Sequence, residues 1–314
     1  MGPVRYWRIP LRTTFRDLDA RAGLLFRGRL RWGEFSPFAD YSPALAARWL
    51  AAARAAADEP WPRAVRTHVS VNVTVPAVAP QEAHALVAAS GCTTAKVKIG
   101  TPDDEARLEA VRDALGPGGK MRVDANGCWD VGTAVRRIRA LARFDLEYVE
   151  QPVATLDELA ELRRRVDVPI AVDESLRTAP DPRRVPVARA ADVAVLKVAP
   201  LGGVRAALEV AEACGMPVVV SSALETSVGL EAGLALAAAL PELPYACGLA
   251  TAALLAADVT ERPLLPEGGA LEVRDVEVDE ARLAAVEVPA VEAPDVVRLL
   301  QEARADGVPS AEIG

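Results

Sequence analysis

The sequence predicts an α/β protein, a parallel barrel of strand–helix units with a smaller α+β domain attached. Three observations carry that prediction. From Val69 onward, short β-branched runs alternate with segments of helical period, one unit about every 25 residues. The first 65 residues lack this rhythm and are richer in Arg and aromatic side chains. Polar and charged residues recur at the ends of successive strand runs, in phase with the repeat. Alternating units in one series, with no room for a second sheet, close most economically into a (β/α)₈-type barrel.

Taken in order, Val4–Ile9 and Gly23–Arg31 read as strands and the Ala-rich Pro43–Asp58 as a scaffold helix. Residues 32–42 between them, rich in aromatics, Gly and Pro, read as an unusual loop. The barrel strands are Val69–Val75, Thr94–Ile99, Met121–Ala125, Leu146–Glu150, Ile170–Glu174, Val193–Val198, Pro217–Ser222 and Tyr245–Leu249. Between them, Asp103–Leu115, Val131–Phe144, Thr155–Val166 and Gly202–Cys214 carry apolar residues at helical spacing. After the last strand a shorter helix is expected. The Pro-rich residues 262–314 should then leave the barrel and pack on the N-terminal domain, giving a cap of 1–65 with 262–314 over a barrel of 66–261.

Composition narrows the function. The 314 residues carry a net charge of −8, which disfavours a nucleic-acid binder, whose affinity comes from clustered Lys and Arg. The longest uncharged run, Leu243–Ala257, is interrupted by Pro244 and Gly248 and is too short to span a bilayer. The first residues hold Pro and Arg where an export signal needs an apolar stretch. Cys92, Cys128, Cys214 and Cys247 share no metal-like or disulfide-like spacing. A cytoplasmic enzyme acting on a small-molecule carboxylate, with no nucleic-acid or membrane partner, is the expectation; oligomeric state is not legible.

His68 and His84 are too few and too close together for most His-centred sites. Lysine is more telling. Of 36 basic residues only Lys96, Lys98, Lys120 and Lys197 are Lys, and three of these lie inside apolar strand runs. An ammonium can lose its proton when desolvated or set beside another cation, whereas a guanidinium does not.

In a parallel barrel the strand C-termini hold the active site. In chain order, the polar residues there are Lys96 and Lys98, Asp124 and Asn126, Glu150, Asp173 and Glu174, Lys197, then Ser221 and Ser222. From Lys98 through Asp124, Glu150 and Asp173 to Lys197, the steps are 23 to 26 residues, one unit each. Three carboxylates on adjacent strands repel unless a hard divalent cation joins them, and Mg²⁺ suits such oxygen ligands. Lys96, two residues from Lys98 and facing the same way, should lower its pKa. A metal flanked by lysines is apparatus for removing a proton α to a carboxylate.

Singly, each residue has a plainer reading. A strand-end Asp can cap a helix, a lone Lys can snorkel, and Ser221–Ser222 can be a simple cap. Asn126 and Glu174 fit either support of the metal site or ordinary loop hydrogen bonding. Arg122, two residues before Asp124, fits an ion pair or a substrate contact. Jointly, residues in phase at one rim are much harder to explain as scaffold.

These residues resemble the enolase superfamily in its muconate-lactonizing branch. The likeness runs through Lys96-Val97-Lys98, Arg122-Val123-Asp124-Ala125-Asn126, Val149-Glu150-Gln151-Pro152, Val172-Asp173-Glu174-Ser175 and Leu196-Lys197 to Gly202-Gly203. It implies a modified TIM barrel, (β/α)₇β, under a capping domain. It also implies Asp124, Glu150 and Asp173 as ligands of Mg²⁺ (Mn²⁺ as substitute), Lys98 as acid and base, Lys96 as its partner, and Lys197 on the opposite face of the substrate.

Compact length, the loop Gly33–Pro37 and the run Ser221–Leu230 point within the branch to a dehydrating member serving menaquinone biosynthesis. Its reaction is syn elimination of water from 2-succinyl-6-hydroxy-2,4-cyclohexadiene-1-carboxylate through an enediolate. The succinyl arm should lie towards Ser221, Ser222 and the capping loops, with no residue identified for its carboxylate. The rival of like chemistry is a racemase or epimerase of N-acylamino acids or dipeptides, with both lysines carrying protons. A Schiff-base aldolase using Lys197 leaves the three carboxylates without a purpose.

Overall fold

The computed structural model describes residues 4–305. The chain opens with an antiparallel sheet of β1 (Arg5–Phe15), β2 (Leu18–Arg27) and β3 (Trp32–Phe35). β1 runs further than the residue pattern indicates and β2 starts earlier, because Arg16 and Asp17 both take positive φ and fold β1 back onto β2 in a two-residue turn, while β2 ends at Arg27, short of the expected Arg31. Trp32–Phe35, expected as loop, is the third strand, pairing Leu24 with Phe35 and Phe26 with Gly33. Gly33 allows this: a Cβ there would stand 2.4 Å from the Ala53 carbonyl oxygen.

Helix α1 (Pro43–Asp58) begins where Ser42 accepts a hydrogen bond from the Leu45 amide, with Pro43 in the first turn. Its buried face, with Leu45, Trp49, Leu50 and Ala53, packs with Phe26 and Phe35 of the sheet and with Leu299 and Leu300 near the C-terminus.

The barrel follows in chain order: β4 (His68–Ser70), β5 (Val73–Val75), α2 (Pro80–Ser90), β6 (Thr94–Lys98), α3 (Asp104–Leu115), β7 (Lys120–Asp124), α4 (Val131–Leu141) and β8 (Leu146–Glu150). It continues through α5 (Leu156–Arg163), β9 (Ile170–Val172), α6 (Glu174–Arg177), β10 (Val193–Lys197), α7 (Val198–Leu201), α8 (Val204–Cys214), β11 (Val218–Ser221) and α9 (Ser227–Ala239). Strands β5 to β11 form one seven-stranded parallel sheet in sequential order.

Two expectations about the strands need correction. The first barrel strand is split: β5 joins the barrel, while β4 pairs antiparallel with β12 (Ala270–Glu272). The eighth strand is reduced to two single bridges, Val71 with Cys247 and Ser221 with Gly248, which join the ends of the sheet. Pro244 and Gly248 within this short stretch shorten the ladder, and Gly248 lies so close that a Cβ would meet the Ser221 hydroxyl at 2.6 Å. A single 3₁₀ turn, Ala250–Leu254, follows in place of a helix.

The tail also differs from expectation in part. It does not leave the barrel at residue 262, since β12 still pairs beside it. It reaches the capping sheet through α10 (Glu280–Val286) and the bridge between Trp7 and Glu287, and α11 (Pro294–Ala305) then packs on α1 and the sheet. Among the described residues no helix is long and apolar enough to cross a membrane.

Candidate active site

Strand alternation decides what points into the barrel. Arg122 aligns with Lys96 on one side and Tyr148 on the other, and Asp124 aligns with Lys98 and Glu150. The lower interior is filled by Tyr148, Ala171, Val193, Val195 and Val219, with Tyr245 against them. Arg122 lies in this plug and is fully buried. It donates to Glu147 Oε2 at 2.5 Å and the Ala246 carbonyl at 2.6 Å, over the rings of Tyr148 and Tyr245. The register shift opposite Met121–Arg122 inserts Glu147 as an extra residue, which brings its carboxylate to the guanidinium. Arg122 is therefore an ion-pair partner in the barrel interior and not part of the cleft wall; its substrate-contact reading is corrected.

Above the plug, the strand ends bring the other charged residues together. Lys96 Nζ donates to both Glu150 carboxylate oxygens at 2.9 and 3.1 Å and lies 3.2 Å from Asp124 Oδ2. Lys98 Nζ donates to Asp124 Oδ2 at 2.6 Å and Asn126 Oδ1 at 2.7 Å. Lys197 Nζ donates to Asp173 Oδ2 at 2.7 Å. The three acids are buried beneath the lysines, and β6 and β10, bearing Lys98 and Lys197, are separated in the sheet by the three strands whose ends carry the acids.

Electrostatics separate the groups. Burial works against ionisation of Asp124, but Lys98 and Lys96 outweigh it and hold the carboxyl well below its usual range. Arg177 and Lys197 do the same for Asp173. Glu150 is different: burial and the neighbouring Asp124 push it up to about 7 in spite of Lys96. For Lys96, burial is overcome by Glu150 and Asp124, so its pKa rises. Lys98 goes the other way. Burial lowers it, Asp124 pulls it back, and the Lys96 charge adds to the lowering. The sequence expectation about Lys98 has the right direction, but burial leads and the neighbouring lysine is the lesser cause.

Asn126, at φ 47°, uses its amide N–H to reach Asp124 Oδ1 at 3.0 Å and its side-chain Nδ2 to reach Glu174 Oε1 at 3.0 Å. Asn126 and Glu174 thus tie Lys98 to α6. Two residues without an assigned role in the sequence complete this support. Gln151, fully buried at φ 39°, accepts from the amides of Asp173 and Ser175. Arg177 donates to Asp173 Oδ1 at 2.8 Å, to Glu174 Oε1 at 2.8 Å and to the Tyr41 hydroxyl at 2.6 Å. The four-residue spacing from Asp173 to Arg177 on a helical turn was a usable signal. Tyr41 was not findable, since nothing local connects it to α6.

Above these groups lies a narrow cleft of about 30 Å³. Lys96, Lys98, Asn126, Lys197, Ser221 and Ser222 line it from the barrel. The Ser222 hydroxyl donates to the Gly248 carbonyl at 2.8 Å and is 2.7 Å from that of Thr251. Phe15, Arg16 and Phe38 close it from the cap, with Lys98 Nζ 5.3 Å from the Phe15 ring centroid. Phe38 lies in the loop singled out in the sequence as unusual, whereas Phe15 and Arg16 carried no signal, because the turn that presents them is positioned by the capping sheet.

Asp124, Glu150 and Asp173 offer only hard oxygen donors, and the raised pKa of Glu150 marks a buried carboxylate with too little positive charge around it. That donor set fits a divalent cation. Among the described residues no three such side chains stand close enough to grip one as they lie, because the ammonium groups fill the gaps. Metal entry would require those contacts to open.

Comparison with known proteins agrees with this geometry. Residues 79–280 match the model of the enolase C-terminal domain-like family, and residues 6–57 that of the enolase N-terminal domain-like family. An o-succinylbenzoate synthase of Thermobifida fusca is 66% identical over 90% of this chain and 91% of its own. One from Mycolicibacterium smegmatis is 51% identical over 90% and 88%. Among solved structures, muconate lactonizing enzyme from Pseudomonas fluorescens superposes with a TM-score of 0.79 at 21% identity, covering 91% of this chain and 98% of that one. An N-succinyl Arg/Lys racemase from Bacillus cereus gives 0.77 at 20%, covering 91% and 97%. At that identity the two structures speak for the fold alone. Enzymes of this superfamily work with a divalent metal. With both family models matched in place and curated relatives aligned over nine-tenths of its length, the chain belongs to the enolase superfamily, within its o-succinylbenzoate synthase family.

Proposed function

We propose that this cleft performs the o-succinylbenzoate synthase reaction, the syn elimination of water from 2-succinyl-6-hydroxy-2,4-cyclohexadiene-1-carboxylate. The observation that carries it is Lys98: an amine with a lowered pKa, facing the cleft, hydrogen-bonded to Asp124 and Asn126. Lys98 takes the proton α to the ring carboxylate and, now an ammonium on the same face, returns it to the departing hydroxide, so one group serves both steps of a syn elimination. Asn126 fixes the amine against loss of aim. Lys96 contributes charge and, anchored on Glu150, does not compete for the proton.

Asp124, Glu150 and Asp173 are the residues to hold the metal, with Mg²⁺ the choice for a hard oxygen set and Mn²⁺ a substitute. When bound, that ion supplies the positive charge that makes the carbon acid labile and stabilises the enediolate. Gln151 and Arg177 hold Asp173 in place. Lys197 faces the cleft from the other side, bonded to Asp173, and stabilises the anion and the ring through its charge. Ser221, Ser222 and Thr251 border the succinyl arm. Arg16 is exposed at the cleft mouth, its guanidinium 4.5 Å from the Phe38 ring centroid, and is the cation we assign to the arm's carboxylate.

The test is a spectrophotometric assay with the cyclohexadiene, with and without EDTA. Metal-dependent loss of the diene absorbance is expected. No diene turnover, together with stereoinversion and α-deuterium exchange of N-succinylamino acids in D₂O, would overturn the reading in favour of a racemase.

A further inference from the structure

Arg21, on β2 of the capping sheet, has no part in the chemistry above, yet it is only 3% exposed. Its guanidinium gathers three carbonyl oxygens. One Nη donates to the Ser36 carbonyl in the capping loop and, at 3.4 Å, to the Ala223 carbonyl; Nε donates to the Leu224 carbonyl at 3.3 Å. Its plane lies over the Phe38 ring, 4.2 Å from the centroid. Ala223, Leu224 and Phe38 all line the cleft.

This arrangement is expensive for mere stability. Burial lowers the Arg21 pKa to about 10, which the nearby Glu225 and Glu34 offset only in part, and its hydrogen-bond partners are neutral carbonyls. The contacts also fall on an unusual piece of backbone: Leu224 has φ 63°, a conformation a branched side chain avoids.

The same segment is held from a second direction. Glu34, on β3, accepts from the Thr226 amide at 3.2 Å, the Gly229 amide at 3.1 Å and the Thr226 hydroxyl, placing a cap carboxylate at the N-terminus of α9. Glu225 accepts from the Ala223 amide at 2.6 Å. Gly229 leaves no slack, since a Cβ there would lie 2.5 Å from that of Glu225 and 3.1 Å from the Glu34 carboxyl carbon.

We propose that Arg21 is a positioning residue that sets the shape of the cleft wall at Ala223–Leu224 from the capping domain, and thereby selects the substrate's side arm. The proposal rests on the dehydratase reading for the identity of that arm, though not for the wall itself. Arg21 touches no lysine or carboxylate of the catalytic rim among its hydrogen-bonded partners, so its loss acts on substrate fit and leaves proton transfer in place.

The experiment compares the native chain with Arg21→Met and Arg21→Lys. Three quantities are measured: KM and kcat for the diene, Mg²⁺ affinity by calorimetry, and amide hydrogen exchange at residues 223–229. Arg21→Met should raise KM about tenfold with kcat within about threefold, and Arg21→Lys should fall between it and the native enzyme. Exchange at 223–229 should quicken while β7 to β9 and Mg²⁺ affinity stay unchanged. An unchanged KM, or a fall in kcat at constant KM, overturns the proposal. If Arg21→Met does not fold, Arg21→Lys carries the same comparison. If the native enzyme leaves the diene untouched, the dehydratase reading fails by itself, and the exchange experiment still decides Arg21: no acceleration at 223–229 overturns it.

Discussion

The two sides of the cleft are built on different principles. On the side of β6 to β10, ionised side chains stand on neighbouring strands, one strand end after another, and act on each other directly: Lys98 on Asp124, Lys96 on Glu150, Lys197 on Asp173. On the side of β11 and the cap, the wall is mostly backbone and aromatic rings held by residues that do not themselves face the substrate, such as Arg21 and Glu34. The first side is suited to chemistry, because charges at fixed short distances set pKa values and stabilise charge as it develops. The second is suited to selection, because its shape can change without disturbing the lysines and carboxylates of the strand ends. If this division is right, substitutions on the two sides should separate kcat and metal affinity from KM.

The largest effect should come from Lys98→Ala. Loss of the group that both takes and returns the proton should lower kcat by about 10³-fold or more, with Mg²⁺ affinity by calorimetry and the folded state nearly unchanged. Asp173→Asn comes next. Removing one charged oxygen from the donor set, next to Arg177 and Lys197, should weaken Mg²⁺ binding by about 10²-fold, read by calorimetry without substrate.

The pH profile provides a third test. Lys98 works as a base only when neutral, so kcat/KM should fall about tenfold per unit as pH drops below its pKa. Because burial lowers that pKa, the plateau should be reached below the ordinary lysine value of about 10.4. A profile still climbing at that value would move the base elsewhere. The smallest effect belongs to the selective side. Ser222→Ala loses the bonds to the Gly248 carbonyl and Thr251, about 1 kcal/mol, and should raise KM about fivefold with kcat nearly constant. A drop in kcat of the Lys98→Ala size would erase the distinction between the two sides.

Legibility in the sequence follows the same division. The chemical side was readable because a parallel barrel converts a regular chain interval into one rim, so Lys98, Asp124, Glu150, Asp173 and Lys197 could be placed from spacing alone. Arg122 shares that phase but sits one layer lower. An extra residue in β8 supplies Glu147 as its partner, and a bulge leaves no mark in a pattern of period two. The split of the first strand was equally hidden, since β4 and β5 are continuous in hydropathy and only the distant β12 claims one of them.

What the amino-acid order determined by itself is therefore periodic or local: the strand–helix alternation, the lysines in apolar runs, and the carboxylates one unit apart. Only the tertiary structure decided which segments meet without sequence neighbourhood: the cap turn over Lys98, Tyr41 against Arg177, Arg21 against the Leu224 carbonyl, and the bridges that close the barrel through Cys247 and Gly248. The physical reason is that periodicity records which face of an element is buried, whereas the partner of that face is fixed by packing among elements far apart in the chain.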